Sequence, residues 1–494
     1  MEKSKSSYRH IVKATSIFGG VQVFQILTTL IKAKFASVLI GAAGMGMLAI
    51  FTSTLLMINA ISNYGLIFGA TREISKSAHA NDLDKLNRIY SAITKLVIIF
   101  SLFGAVLMII FSKYLSNFAF GNSSYFSGFI FLSVTILFSG ITNINNSVLQ
   151  GMKRLKDLAN STMIGSGLGL ISSIPLYYFF GKAGIVPSII ITSACSFIIS
   201  YYFIKKTAIQ KIKMNIGSAF IEGKGILNLA IIMFVAYVFG SFVIYIINIF
   251  IVKFGSVSEL GLYSAGISFS SQFVSLVFVS MSIDFFPRLS AISADNHKVT
   301  KMVNEQAEIT YLILLPILVI MILVSPLVVK LFLTSEFNQI INFIRITALS
   351  IVFQAAAYII ANIPIAKGHN KLFISFNSII PGVSALIFCL MGYHYFGLNG
   401  IAIGSCMVSF IHFTSMALIC YKMYGFKMDL NFLFIFFITL ISTVTTFFVV
   451  IYLPGKIAYA LGGIIFLFTV YFSILKLDKL LNIRELLSRY SVRR

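Results

Sequence analysis

Polar residues recur along one side of the first apolar segment of this chain. They are Gln22, Gln25, Thr28, Thr29 and Lys32. At about 100° per residue these positions form a single helical stripe. Because polar groups are costly inside a membrane-length helix, such a stripe could line a watery cavity, where Lys32 would present a cation to an anionic group. In the alternative interpretation Lys32, like Lys34 on another side, lies near the outer end and extends to lipid headgroups.

Three later segments carry comparable polar faces. The residues are Ser241, Tyr245 and Asn248 in the seventh segment, Ser264, Ser268, Ser271, Ser275 and Ser282 in the eighth, and Asn143, Asn146 and Gln150 in the fourth. The spacings put each group on one helical side. Small hydroxyl residues also serve as ordinary packing contacts between membrane helices. The faces are therefore candidate binding surfaces as a group, whereas packing is the simpler role for any single serine.

Charged residues at segment ends form a second group of candidates. Arg345, just inside the tenth segment, could bind a phosphate through two parallel hydrogen bonds, or could anchor the helix at the interface. Asp284 is the one acidic residue inside a predicted span, and Arg288 follows it by four positions, which suits a local ion pair. Arg72 occupies the position equivalent to Arg288 in the first half of the chain. We expect these three residues, Arg72, Asp284 and Arg288, at a gate or cytoplasmic entrance.

The scarcity of carboxylates within the apolar segments bears on the substrate. A transporter of cationic drugs needs acidic groups to bind its substrate and driving ion, whereas this chain offers mainly cations, which favours an anionic substrate. No phosphate-binding loop, nucleophile elbow, zinc-binding helix or pair of carboxylates inside a predicted span is present. The four cysteines all fall in apolar segments. We therefore expect neither an enzyme nor a bound metal or cofactor.

Composition identifies the elements that must position these residues. Of 494 residues, 58% are hydrophobic and 11% are charged. Long apolar runs without strict alternation predict helices, and a bilayer crossing takes about 20 residues. We predict an all-α polytopic membrane protein with about fourteen transmembrane helices. The net charge of +23 is explained by basic loops on the cytoplasmic side, so no nucleic acid partner is expected and both termini are predicted to be cytoplasmic.

The chain contains an internal duplication at a spacing of roughly 216 positions. Residues 177–185 return as 393–401, and Gly46 is echoed by Gly261. We predict a six-helix lobe over 1–210, a second over 211–424, and two extra helices with a basic tail over 425–494. Because each repeat has an even number of spans, the lobes should share one orientation, related by a pseudo-twofold axis along the membrane normal.

Several short motifs resemble one known family. They lie at 13–20, 39–46, 64–72, 260–264 and 286–290. Their order and spacing over nearly the whole chain are similar to those of the bacterial O-antigen or polysaccharide-repeat flippases (Wzx type), in the multidrug/oligosaccharidyl-lipid/polysaccharide exporter superfamily. One departure is an alanine, Ala42 or Ala43, where the family often has proline in the first hairpin.

The resemblance implies a fold, a substrate and a set of lining residues. It implies two lobes around an electropositive cavity, and an undecaprenyl-pyrophosphate-linked oligosaccharide carried from the cytoplasmic to the periplasmic leaflet of a bacterial inner membrane. Helices one, two, seven and eight line the cavity in the family, which selects Gln25, Lys32, Tyr245, Asn248 and Ser271 here. Membrane lipids, a polysaccharide polymerase and chain-length proteins are the expected partners. A drug or cation antiporter of the same fold, a membrane-embedded polysaccharide polymerase or acyltransferase, and a peptidoglycan-precursor flippase remain alternatives.

Overall fold

The structure, a computed structural model, describes residues 2–79 and 82–481. Side chains at 2–18, 225–233 and 279–284, and at a few single positions between, lie outside this description. Within the described ranges the chain is helical and forms no β-strand, which confirms the all-α prediction. The basic residues after 481, which contributed to the predicted cytoplasmic tail, lie outside the described residues.

Sixteen α-helices are described, and they follow one another with short connections. The first eight are α1 (Glu2–Leu39), α2 (Gly41–Asn59), α3 (Gly65–His79), α4 (Leu83–Ile110), α5 (Ser112–Phe120), α6 (Phe126–Gly151), α7 (Leu155–Phe180) and α8 (Ile185–Lys205). The others are α9 (Ile216–Phe254), α10 (Val257–Ala291), α11 (Asn296–Phe332), α12 (Ile340–Ala366), α13 (Asn370–Ile374), α14 (Ile380–Tyr424), α15 (Leu430–Tyr452) and α16 (Gly455–Leu481). A π-helical turn, Ala60–Tyr64, joins α2 to α3, and a second, Ser375–Ile379, joins α13 to α14.

Ten helical stretches in the described residues are long and apolar enough to cross a membrane. Two of these, Leu155–Lys205 and Asn370–Tyr424, have 51 and 55 residues, about twice the length that one crossing needs. Each contains a sharp break, so each supplies a helical hairpin. The chain is therefore a multi-span membrane protein, and the count of fourteen crossings stays a prediction.

The two hairpins repeat each other in detail. Gly181 has φ 53° and ψ −129°, and Gly397, its equivalent 216 positions later (181 to 397), has φ 58° and ψ −141°. Only glycine adopts this region readily. Beyond each turn a second glycine packs against backbone: a Cβ on Gly184 would lie 2.2 Å from the Leu176 carbonyl oxygen, and one on Gly400 would lie 1.8 Å from that of Gly392. The duplication predicted from sequence is thus visible as equal backbone geometry.

The chain forms two compact units. Unit 1 runs as far as Ala265 and includes Phe332–Thr334, and unit 2 comprises Gly266–Leu331 and the chain from Ser335 onward. The helix that opens the second sequence repeat, α9, packs within unit 1 against α2, α3 and α4. The lobe limits predicted at 210 and 424 follow sequence equivalence, not contacts, and stay a prediction.

Each unit has its own core. In unit 1 the core lies where α3, α4 and α6 meet, and includes the fully buried Ile74, Leu96 and Val148. In unit 2, α11 is the central element: it is buried almost continuously from Tyr311 to Leu323, and the Tyr311 hydroxyl donates a hydrogen bond to the Val352 carbonyl of α12. A helix that is hydrophobic all round is expected to be enclosed in this way.

Candidate functional site

The polar stripe predicted on α1 lies opposite an apolar face. The exposed large side chains of α1 are Val23, Leu27, Ile31, Phe35 and Val38. At about 100° per residue all of them except Phe35, which lies roughly 60° from Lys32, are roughly 100–180° around the helix from that lysine. Because an exposed apolar row on a membrane helix suits lipid, the stripe on the other side faces protein and water.

The stripe itself is half-buried along its length. Gln22, Gln25, Thr28, Thr29 and Lys32 are all of intermediate exposure. Within unit 1, α1 packs chiefly against α7 and also against α2. The Thr28 hydroxyl donates to the Gln25 carbonyl at 2.9 Å, a bond within the helix that leaves the glutamine amide available to a ligand. The stripe is therefore a shielded polar surface and not a lipid-facing one.

Lys32 is the cation of this stripe. Its amine makes no hydrogen bond or ion pair with any described residue, and the side chain is partly withdrawn from solvent. Asp82, before α4, and Glu259, in the first turn of α10, lie at helix ends, and no described carboxylate of unit 1 forms an ion pair with Lys32. A half-buried amine without a counter-ion is unfavourable unless an anion or water approaches it.

The serine face of α10 is partly exposed. Ser271 is exposed, and Ser264, Ser268 and Ser275 are of intermediate exposure on the same helical side. The Ser271 hydroxyl donates to the Ser268 carbonyl at 2.8 Å. An exposed hydroxyl is not a contact between packed helices, and the role of Ser271 in binding substrate stays a prediction.

Tyr245 and Asn248 of α9 lie in a closed part of unit 1. Their exposed fractions are 3% and 6%. The Tyr245 ring lies 6.3 Å from that of Phe118, and its buried hydroxyl makes no hydrogen bond to a described residue. These two residues share a helical side as predicted, but they line no open surface of unit 1. Their role as substrate ligands stays a prediction.

A buried polar network next to α9 was not singled out from the sequence. The Asn63 amide donates to the Ser101 hydroxyl at 2.9 Å, and the Ser139 hydroxyl donates to the Asn59 side-chain oxygen at 2.9 Å. The π-helical turn Ala60–Tyr64 begins immediately after Asn59, and such turns are frequent at functional sites. The signal that could have found the network is the i, i+4 pair of asparagines in an apolar run.

Arg345 is buried in unit 2, with an exposed fraction of 9%. Its guanidinium donates to the Asn342 side-chain oxygen at 3.2 Å and to the Ile322 carbonyl at 3.4 Å. The bond to Ile322 attaches the start of α12 to α11, and the bond to Asn342 lies within α12. The proposed phosphate contact at Arg345 stays a prediction, and in this structure its donors are directed at protein.

The predicted entrance residues are placed as follows. Arg288 is exposed near the end of α10 and has an interaction partner of its own. Arg72 lies on α3 and Asp284 on α10, but both side chains lie outside the described residues. A role at a gate stays a prediction for all three.

The burial of Glu308 was not predicted from the sequence. The sequence analysis placed Asp284 alone among acidic residues inside a span, because the ninth apolar segment was predicted to begin at 309. The structure begins α11 at Asn296, and Glu308 lies on this helix with an exposed fraction of 7%. Glu308 belongs to unit 2, whereas the α1 stripe belongs to unit 1.

Comparison with known families identifies the relationship. Residues 39–342 match the model of a family described as "Polysaccharide biosynthesis protein". The chain belongs to this family. The match covers more than half of the chain. It includes Gly46 of α2, Gly261 of α10 and the serines of α10. The resemblance to polysaccharide-repeat flippases that sequence motifs suggested is thereby confirmed.

Individual relatives agree with this polysaccharide biosynthesis family. The chain is 24% identical over 354 residues to the "Putative O-antigen transporter" of Shigella flexneri, with 69% of this chain and 82% of the relative covered. It is 20% identical over 374 residues to the "Lipid III flippase" of Escherichia coli (strain K12), covering 74% and 87%. Among solved structures, "Lipid II flippase MurJ, inward closed conformation" superimposes with a TM-score of 0.70 at 16% identity, covering 95% of this chain and 99% of that one. The last likeness establishes the fold.

Proposed function

We propose that this protein moves an undecaprenyl-pyrophosphate-linked oligosaccharide, an O-antigen or related repeat unit, from the cytoplasmic to the periplasmic leaflet of a bacterial inner membrane. The mechanism is alternating access, with the sugar crossing in water and the lipid tail remaining in the bilayer. The observation that carries the proposal is Lys32, a half-buried amine without a counter-ion among the described residues, on a polar stripe opposite a lipid-facing row.

The chemistry of the headgroup requires such a cation. An isolated diphosphate cannot enter hydrocarbon, because an unpaired buried charge costs on the order of 10 kcal/mol or more. An amine at Lys32 offsets part of that cost, and the Gln25 amide, on the same side two turns earlier, donates to the phosphate oxygens or the first sugar. No described carboxylate of unit 1 forms an ion pair with Lys32, so the amine is available to the phosphate.

The sugar is the second part of the substrate. Its hydroxyl groups suit a surface of small hydroxyl side chains, and Ser271 supplies the most exposed of these on α10. Serine holds the sugar weakly, which suits a carrier that must release it. Tyr245 and Asn248 would contact substrate only in a conformation of unit 1 that opens α9, while Arg345 would act by holding α12 to α11.

The relatives support a lipid-linked substrate, since those named above are described as an O-antigen transporter and a lipid III flippase. An antiporter for cationic drugs on the same fold would need a carboxylate at the α1 stripe, and the described stripe carries an amine instead. A polysaccharide polymerase and chain-length proteins are the partners that this function would require.

The test is the leaflet in which the lipid-linked repeat unit accumulates. In a strain that lacks this protein and any redundant exporter, we expect repeat units to accumulate on the cytoplasmic side, inaccessible to a periplasmic sugar-cleaving enzyme, and surface polysaccharide to fall. Expression of the wild-type chain restores both, and a Lys34→Gln variant, altered on another side of α1, restores them equally. Normal surface polysaccharide in the deletion strain would contradict the proposal, and product chains made by the purified protein would favour a polymerase.

A further inference from the structure

The segment that leaves α8 is fastened to α4 by side chains at regular intervals. This segment, the first strap (residues 206–214), is extended. The Gln210 amide donates to the Asn87 side-chain oxygen at 2.8 Å, and the Ile212 amide donates to the Ser91 hydroxyl at 2.8 Å. One turn further along α4, the Lys95 amine donates to the Met214 carbonyl at 2.5 Å. Two residues of extended chain advance about as far as four residues of helix, so the spacings match.

The equivalent segment in unit 2 is fastened at the equivalent positions. This second strap (residues 425–429) leaves α14 and leads into α15. The Asn304 amide donates to the Lys427 carbonyl at 2.9 Å, and its oxygen accepts from the Asp429 amide at 3.2 Å. The anchors and the strap residues shift by the same 217 positions: 87 to 304, 210 to 427, and 212 to 429.

We call each strap together with the helix residues that anchor it a clasp. The same shift relates Ser91 to Glu308 (91 to 308), and at this position the two clasps differ. Ser91 receives a backbone amide, but in unit 2 the corresponding amide, that of Asp429, is already bound by Asn304. Glu308 has an exposed fraction of 7% and makes no hydrogen bond or ion pair with any described residue. Its carboxylate therefore has no donor among the described residues.

The charged groups around Glu308 do not neutralise it. Asp429 of the strap and Glu305 on its own helix are both acidic, and Lys476 of α16 is the one cation acting on it among the described residues. The Asp429 carboxylate accepts from the Phe432 amide at the start of α15, and the Lys476 amine lies over the Phe434 ring, 5.7 Å from its centroid. A second buried negative charge in this setting is strongly unfavourable, and a bound proton removes it.

We propose that Glu308 is a proton-binding site, and that its proton links pH to the docking of the second strap. In the closed clasp Glu308 is a carboxylic acid. When the strap and Asp429 leave, the group is hydrated and releases the proton to water as the carboxylate forms. The closed clasp thus binds one proton more than the open one, so its stability falls as pH rises.

The protonation is measured directly by infrared spectroscopy of the full chain in lipid vesicles. At neutral pH the wild type shows the C=O band of a protonated carboxylic acid. Glu308→Gln loses it, whereas the matched control Glu222→Gln, which alters an exposed carboxylate of unit 1 paired with Arg88, keeps it. A band that survives Glu308→Gln, or is absent from the wild type, overturns the proposal.

The linkage is measured by hydrogen–deuterium exchange, with the first strap as an internal control. After correction for the intrinsic exchange rate, opening of the second strap should increase up to about tenfold per pH unit between the Glu308 titration of the open state and that of the closed state, since one proton is linked to it. The first strap, anchored by the neutral Asn87 and Ser91, should show no such slope over the same pH range. Glu308→Gln and Glu308→Ser, the latter copying the first clasp, should abolish the slope. Equal slopes in both straps, or a slope that persists in the variants, refute the linkage.

Discussion

Gly46 and Gly261 make the closest helix contact in unit 1, and Gly46→Ala should show what it contributes. A Cβ on Gly46 would lie 1.8 Å from the Val257 carbonyl oxygen, and one on Gly261 would lie 1.9 Å from the Ala42 carbonyl oxygen. The first turns of α2 and α10 therefore touch backbone to backbone. The two glycines are equivalent in the duplication, so one contact uses both copies of the motif.

The magnitude follows from the displacement. A carbon and a carbonyl oxygen approach to about 3.3–3.6 Å at closest, so the two helices must separate by roughly 1.5 Å. Overpacking of this kind costs about 1–3 kcal/mol, and the obstructing atom is backbone, which cannot rotate away. The helix propensity gained from alanine offsets about 1 kcal/mol. We expect Gly46→Ala to destabilise the protein by up to about 2 kcal/mol.

Thermal unfolding of the purified protein in detergent measures this effect. The matched control is Gly240→Ala in α9, where a Cβ would meet no heavy atom within 4 Å. That control should unfold at the same temperature as the wild type or slightly above it. If Gly46→Ala and Gly240→Ala unfolded together, the close approach of α2 and α10 would be refuted.

Three further outcomes follow from the described contacts. Lys95→Met removes the charge-assisted bond to the first strap, and hydrogen exchange in residues 206–214 should increase roughly 10-fold or more, a change that would be missing if the strap were held by packing alone. In a background without native cysteines, Ser271→Cys should react with a charged thiol reagent, because the position is exposed. Ser270→Cys, at a position with 3% exposure, should not react. Equal labelling of the two variants would contradict the difference in exposure between these positions. Gly397→Ala places a side chain at φ 58° and should cost about 1–2 kcal/mol in thermal unfolding, so an unchanged unfolding temperature would argue against the turn.

The repeat and the all-helical class were accessible from the sequence because apolar length and glycine position are local signals. Gly181 and Gly397 were aligned by their neighbours, and the shared positive φ confirms what the alignment implied. The α1 stripe was equally accessible, since 3.6-residue periodicity separates Lys32 from the row containing Leu27 and Ile31.

The burial of a residue by partners that are distant in sequence could not be predicted from the sequence. Tyr245 and Asn248 share a helical side, but only the packing of α9 in unit 1 shows that this side is closed. Glu308 stood next to a polar flank and was placed outside a span, although α11 begins much earlier. The strap contacts, such as that of Gln210 with Asn87, join positions more than a hundred residues apart, and no sequence periodicity predicts such contacts.

The central claim is that Lys32 receives the phosphate of the transported lipid, and transport in proteoliposomes tests it most directly. The rate of movement of a polyprenyl-pyrophosphate oligosaccharide is compared between wild type, Lys32→Gln and Lys34→Gln at equal protein density. A charge-assisted hydrogen bond contributes about 1.5–3 kcal/mol, so Lys32→Gln should slow transport roughly 10- to 100-fold, while Lys34→Gln, on another side of α1, transports at the wild-type rate. A Lys32→Gln protein that transports as fast as the wild type would contradict the account.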